Sequence, residues 1–377
     1  MCKEDDVALV RQRMGRLRSL MDAGGYDALI VRNNADLRWL TGAARVFDDE
    51  VAHTAFVTQQ GAWLHTDSRY YGSFLQHMQD AGSWSLDMEQ QTHSEWCAAR
   101  IKQERARVVA IEDTVTLGFF EDVQSELNKV SCACLMPRLH GDLALLRLVK
   151  DREELGLLRA AQRITDEAFT HICDFIRPGL TELQIRAELE GFMLSSGAEG
   201  LSFDSIIAAG PNGANPHARP SARQVQEGDL IVMDYGALLG DYHADMTRTV
   251  CVGTPSAEQL RVYDVVRRAH ETCADAARPG MGGRELHELA ARVIEEAGFG
   301  GCFNHGLGHG VGIEIHERPS VGRRSDDTIP IGAVFTIEPG IYLPGKFGIR
   351  LEDCGVMEED GYIPFAESPH DLLSVGL

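Results

Sequence analysis

The sequence predicts two tandem domains: a mixed α/β domain over residues 1–143 and a larger α/β domain of α+β type over 144–377. Three observations carry this. The chain has 377 residues, more than one hydrophobic core usually serves. A helix–helix–strand–strand unit occurs twice, and both copies lie after residue 144. Nothing before Ala144 shows a catalytic constellation, so the first domain reads as separate and non-catalytic.

In the N-terminal part, Val7, Val10, Met14, Leu17 and Met21 recur at helical spacing, and Gly24-Gly25 stop the helix. Arginines 11, 13, 16 and 18 on it read as a solvated face beside an acidic flank. Asp27–Val31 reads as a buried strand. Thr54–Thr58 and Arg107–Ile111 are further strands.

The C-terminal part opens with a helix from Asp151, where Glu154 is placed for a capping box. Leu158, Ala161, Ala168, Ile172 and Phe175 give it an apolar face, and Pro178-Gly179 end it. A second helix runs from Thr181, with Gln184 three residues on, to Gly197. The pair then repeats: one helix from Ser256 with Gln259, a stop at Pro279-Gly280, and a shorter helix over Arg284–Gly298. The strands that follow also match. Gly228–Gly236 aligns with Gly332–Gly340, an offset of 104 residues, against 101 for the Pro-Gly stops. Each copy carries an acid at the end of its first strand, Asp234 or Glu338, and another downstream, Asp245 or Glu352.

Charge and composition exclude several functions. There are 36 Lys and Arg against 57 Asp and Glu, a net charge of −21, which phosphate backbones and anionic membranes repel. No run approaches the 18 or so apolar residues that span a bilayer, and the acidic Met1–Asp6 segment, without an apolar stretch, is not expected to act as a signal peptide. The nine cysteines follow no metal or redox spacing, as expected of reduced thiols in a cytoplasmic protein. Neither nucleic acid nor membrane is expected as a partner.

The chemistry is concentrated in the two acidic hairpins. A two-residue turn at Gly240-Asp241 sets Asp245 opposite Gly236, so Asp234 and Asp245 share a face. A hairpin centred on Gly345 sets Glu338 opposite Glu352. Four converging carboxylates must either take up protons or bind cations. Two divalent ions would balance four negative charges and make a nucleophile at neutral pH. The bland alternative is four strand-end carboxylates in solvent. The segment His305–Pro319 decides between them, with His305, His309 and His316 in a Gly-rich strand between the hairpins, and Asn215-Pro-His217 upstream. Histidines such as His53, His77, His140 and His270 lack such a setting and read as structural or surface residues.

These motifs resemble the pita-bread metallopeptidases, the superfamily of methionine aminopeptidase, aminopeptidase P and prolidase. The likeness is strongest to the proline-directed branch with a creatinase-type N-terminal domain. It rests on Leu148–Lys150 with Glu154, on Ser202–Gly210 leading to His217, and on Asp234–Gly236 with Ala244–Thr249. It continues through His305–Pro319, Thr336–Tyr342 and Gly348–Asp353. The resemblance implies helix pairs packed on a curved antiparallel sheet, and a hydrolase that cuts the Xaa-Pro bond of short proline-containing peptides. Asp234 would chelate one ion, Asp245 and Glu352 would bridge two, and His309 and Glu338 would complete the second. Glu338 would also shuttle protons, His316 would stabilise the oxyanion, and His217 would contact the scissile amide. Phe203, His305, Tyr342 and Arg350 would surround the metals or the substrate, and Thr247 and Thr249 would orient the aspartates.

An oxygen-rich set of this kind suits Mn²⁺, with Co²⁺, Fe²⁺ or Zn²⁺ as alternatives. The resemblance further implies a homodimer. Length favours an Xaa-Pro dipeptidase over an aminopeptidase P. A metal-free creatinase-type carbon–nitrogen hydrolase and a non-catalytic paralogue are disfavoured, because such relatives lose ligand positions that this chain keeps.

Overall fold

The computed structural model describes residues 3–48, 50–88 and 90–376. The chain forms two compact units, Met1–Arg147 and Leu148–Leu377.

The first unit contains α1 (Lys3–Gly24), β1 (Ala28–Val31), α2 (Asn34–Thr41), β2 (Thr54–Thr58), β3 (Ala62–His65) and α3 (Tyr71–His77). It continues with β4 (Ser85–Asp87), α4 (His93–Glu104), β5 (Val109–Ile111), α5 (Leu117–Lys129) and α6 (Asp142–Arg147). The strands form one mixed sheet in the order β4-β3-β2-β1-β5. α4 and α5 cover one face through Trp96, Ile101, Val123 and Leu127. The arginine row on α1 departs from the solvated face expected of it. Arg13 is buried and donates to the Trp39 carbonyl, while Arg11 pairs with Asp80. Periodicity marks these positions as polar, but it does not reveal that α2 and the segment after α3 supply their partners.

The second unit opens with α7 (Arg152–Phe175) and α8 (Glu182–Ser195). Asp151/Glu154 and Thr181/Gln184 form the expected capping boxes. Next come β6 (Gly200–Leu201), β7 (Ile206–Ala209), β8 (Leu230–Tyr235), β9 (Ala237–Leu239), β10 (Tyr242–His243) and β11 (Met246–Val252). α9 (Ala257–Ala276), capped by Ser256/Gln259, and α10 (Gly283–Ile294) repeat the helix pair. The rest is β12 (Gly308–Gly310), β13 (Glu317–Val321), β14 (Val334–Ile337), β15 (Gly340–Leu343), β16 (Phe347–Arg350), β17 (Glu352–Glu358), β18 (Gly361–Pro364) and β19 (Ser374–Val375).

The main sheet runs β13-β12-β14-β17-β11-β8-β7. The duplication is visible in it: β12-β14-β17 on one side answers β7-β8-β11 on the other. The copies meet where Thr247 pairs with Glu352. Isolated bridges repeat as well, Thr181–Gln224 in one copy and Gly282–Thr328 in the other. α7 and α8 pack on the first half through Phe169, Ile172, Ile185 and Leu189. α9 and α10 pack on the second through Val262, Val266, Leu286 and Ala290.

Both hairpin registers follow the turn chemistry. Gly240 and Asp241 have φ of 60° and 65°, as a primed two-residue turn requires. Tyr242 pairs with Leu239, and Met246 with Tyr235, in one continuous register. In the second hairpin Leu343 pairs with Phe347, and Ile337 with Asp353, again in a single register centred on Gly345. Each hairpin is interrupted beside its acids, between β8 and β9 and between β14 and β15.

Candidate metal centre

Asp234 is the penultimate residue of β8, and Asp245 immediately precedes β11. Glu338 follows β14, and Glu352 begins β17. Because cross-strand partners share a face, these registers turn all four carboxylates to one side of the sheet. His309 sits mid-β12, between two glycines whose places would not admit a Cβ: one at Gly308 would lie 1.9 Å from the Thr336 carbonyl oxygen, and one at Gly310 2.1 Å from that of Arg318. His305 and His316 lie outside the strands, so the expected three-histidine strand is one strand residue with two loop residues beside it. His217 lies in the loop between β7 and β8.

A cavity of about 440 Å³ gathers these side chains. Phe203, His217, Asp234, Asp245, His305, His309, His316, Glu338, Arg350 and Glu352 all line it. Tyr342 lies behind this lining and is reached through Arg350. Sequence reasoning missed Pro216, whose carbonyl accepts from Arg350 at 3.2 Å, and Ile315 in the wall.

Ligand atoms of Asp245, His309 and Glu352 lie within 4.8 Å of one another. His309 Nε2 is 3.5 Å from Asp245 Oδ2 and 3.6 Å from Glu338 Oε1. Its Nδ1 faces the Gly310 carbonyl at 3.1 Å, a contact that places the proton on Nδ1 and leaves the Nε2 lone pair toward the acids. Burial, with the neighbouring His316, pushes His309 down to about 4, so the ring is neutral near pH 7. Asp234 is held by Arg350 through Oδ2 at 2.5 Å, while its buried Oδ1 has no hydrogen-bond partner.

The electrostatics are those of a cation site. Burial, then Glu352 and Asp234, raises Asp245 well above the carboxylate range. Burial, then Glu352, does the same to Glu338. Glu352 is raised by burial and by Asp234. Carboxyls that must hold protons in the absence of cations, an orphan buried oxygen and a free imidazole lone pair fit divalent metal. With Arg350 beside Asp234, two divalent ions against four carboxylates leave one positive charge in excess, suited to a developing anion.

Several contacts fix the set. Thr247 donates to Glu352 Oε2 at 2.6 Å and accepts from Arg350 Nε at 3.0 Å. It therefore orients a glutamate, whereas an aspartate was expected. Thr249 donates to the Arg350 carbonyl. Arg350 donates to the Tyr342 hydroxyl at 2.9 Å, and that hydroxyl lies 2.9 Å from His305 Nε2. The buried pair Lys150–Glu317 anchors the residue after His316. On the other face of the sheet, His270 proves to be no isolated structural histidine: it lies beside Asp353 and His370.

Residues 156–359 match Metallopeptidase family M24, and residues 13–147 match the Creatinase/Prolidase N-terminal domain. The chain belongs to the M24 metallopeptidases and has their pita-bread fold. It is 33% identical to the uncharacterized peptidase YqhT of Bacillus subtilis, over 96% of this chain and 99% of that one. It superposes on the Xaa-Pro dipeptidase from Bacillus anthracis with a TM-score of 0.90 at 32% identity, covering 97% of this chain and all of the other. The X-Pro aminopeptidase from Thermotoga maritima gives a TM-score of 0.84 at 33% identity, covering 93% and 98%. Among the described residues no helix is long and apolar enough to cross a membrane.

Proposed function

We propose that this metallopeptidase is an Xaa-Pro dipeptidase that uses two divalent ions, held by Asp234, Asp245, His309, Glu338 and Glu352. The observation that carries this is the meeting of four carboxylates and one imidazole lone pair in a single cavity. The names of relatives support the substrate class, with Xaa-Pro dipeptidases similar to this chain in both sequence and fold. When bound, the ions would acidify a water and polarise the substrate carbonyl. Mn²⁺ is the ion we favour, because four oxygen ligands suit a hard cation.

Glu338 takes the proton from the attacking water and returns it to the departing proline nitrogen. Its carboxyl lines the same cavity as Asp245, His309 and Glu352, within reach of both the water and the departing nitrogen. His316, in ring contact with His309 at 4.2 Å, lines the cavity where it can donate to the developing oxyanion. His217 contacts the scissile amide. Tyr342 and Arg350 hold His305 and Asp234 in place. Phe203 contributes wall against the substrate.

The family likeness further supports a homodimer, the lack of a catalytic constellation before Ala144 supports a non-catalytic first unit, and the unpatterned cysteines support a cytoplasmic location. The deciding experiment incubates the protein and Mn²⁺ with Xaa-Pro dipeptides and, separately, with Xaa-Pro-Yaa tripeptides. Release of proline from the dipeptides alone supports the proposal. Faster cleavage of the tripeptides assigns an X-Pro aminopeptidase, the activity that the Thermotoga maritima relative's name carries.

A further inference from the structure

We propose that His270, Asp353 and His370 form a second metal site, taking one divalent ion of the zinc type, on the face of the sheet opposite the cleft. Successive strand residues point to opposite faces. On β17, Glu352 lines the cavity, so Asp353 points the other way, toward α9. On β11, Thr247 and Arg248 divide in the same manner, and Arg248 donates to Asp353 Oδ1 at 2.7 Å.

The other oxygen of Asp353 meets two imidazoles. His370 Nε2 lies 2.6 Å from Oδ2, and His270 Nε2 lies 3.3 Å from it. Three ligand atoms, one from each residue, fall within 4.8 Å of one another. The rings stand edge to face with centroids 4.8 Å apart.

A purely structural role for the carboxylate leaves His270 unexplained. Arg248 and His370 already satisfy Asp353. His270 is 1% exposed, yet neither of its ring nitrogens makes a hydrogen bond. A buried polar atom left in that condition is costly, so orphans in native proteins point to a missing partner. An ion between the three residues engages Nε2 of His270 and both other donors.

The surroundings are those of a prepared site. Arg248 also donates to the Ser368 carbonyl at 2.9 Å and to the Pro369 carbonyl at 3.1 Å, and Tyr263 donates to the His370 carbonyl at 3.0 Å. These bonds fix both the carboxylate and the backbone that presents His370, as supporting contacts do around a metal. The His370 side chain is 31% exposed, which gives the ion an entry path and a solvent ligand. Two imidazoles and one carboxylate suit Zn²⁺ or Co²⁺ better than the harder ion favoured for the cleft. The ion would tie the C-terminal segment to β17 and α9.

The test strips full-length protein with a chelator, adds Zn²⁺ alone, desalts, and counts zinc per chain for the parent, His270→Gln and His370→Gln. The parent should hold one equivalent more than either variant, whatever number the cleft holds. X-ray absorption of Mn²⁺-loaded parent given one equivalent of Zn²⁺ should show two imidazole nitrogens on zinc. Equal zinc counts in the parent and in folded His370→Gln would overturn the proposal, as would zinc carrying at most one imidazole. His370 is partly exposed, so its variant remains decisive even if His270→Gln fails to fold.

Discussion

Thr247 gives its hydroxyl proton to Glu352 Oε2 across 2.6 Å and stands in register opposite that glutamate on one side and Asp234 on the other. One oxygen of Glu352 is thereby fixed, and Arg350 Nε in turn fixes the threonine. Thr247→Val keeps the shape and removes the hydrogen bond. Its metal affinity should fall about 10- to 100-fold, the usual cost of losing a supporting contact. Thr247→Ser should restore most of it. Titration of stripped protein with Mn²⁺ checks this, and a valine variant within twofold of the parent would show the bond to be incidental.

Glu338→Gln keeps a coordinating oxygen but cannot accept a proton. We expect kcat to drop by about 10²–10⁴ with KM little changed. Steady-state kinetics at saturating Mn²⁺ decides. A near-parental kcat would remove Glu338 from the proton pathway.

His309 and His316 touch, yet their variants should separate cleanly. His309→Ala should lower metal content, because its Nε2 faces the acids. His316→Ala should keep its metal and lose about 10²–10³ in kcat, the cost of one oxyanion donor. Elemental analysis and kinetics on both variants check the pair. Metal loss in His316→Ala, or turnover within a few-fold of the parent, would reverse the assignment.

The first unit carries a pH-dependent stability of its own. His53 sits among Phe47, Tyr70 and Phe74, with Nδ1 2.9 Å from Thr66 Oγ1, and burial pushes it down to about 4. Unfolded, it would titrate near 6.5. Between these values the unfolded chain binds the extra proton, so stability is full above about pH 6.5 and declines as pH falls toward 4. The loss should be on the order of 2 kcal/mol by pH 5. Hydrogen exchange across Thr54–Thr58 at pH 7 and pH 5 should show it in the parent. In His53→Phe the difference should shrink, and an unchanged difference would assign the effect to other groups.

Much of the cleft was legible because turn chemistry and strand alternation are local rules. Gly240-Asp241 and the midpoint at Gly345 set both registers, and register alone turns Asp234, Asp245, Glu338 and Glu352 to one face. What alternation cannot say is which distant side chain that face will meet. Arg350 reaching Asp234, Arg13 reaching the Trp39 carbonyl and His270 reaching Asp353 are contacts between elements far apart in the chain. Burial of a charged residue leaves no periodic trace when its partner lies on another element. The break in each hairpin falls on poor strand formers, Gly236 in one and Glu338-Pro339 in the other, a local signal that the reading of two continuous hairpins passed over.

The twin registers have a consequence for the turns themselves. Each hairpin closes on a short loop, Gly240-Asp241 in one and the three residues between Leu343 and Phe347 in the other. A side chain changes face with every single-residue slip, and returns after two. What these loops transmit to the cleft is therefore the parity of the strand register and nothing finer. The two loops differ in composition and by one residue in length, and each still presents its acids to the cleft. A one-residue slip of either pairing would turn Asp245 or Glu352 away from its partners, while nothing in the cavity itself had been altered.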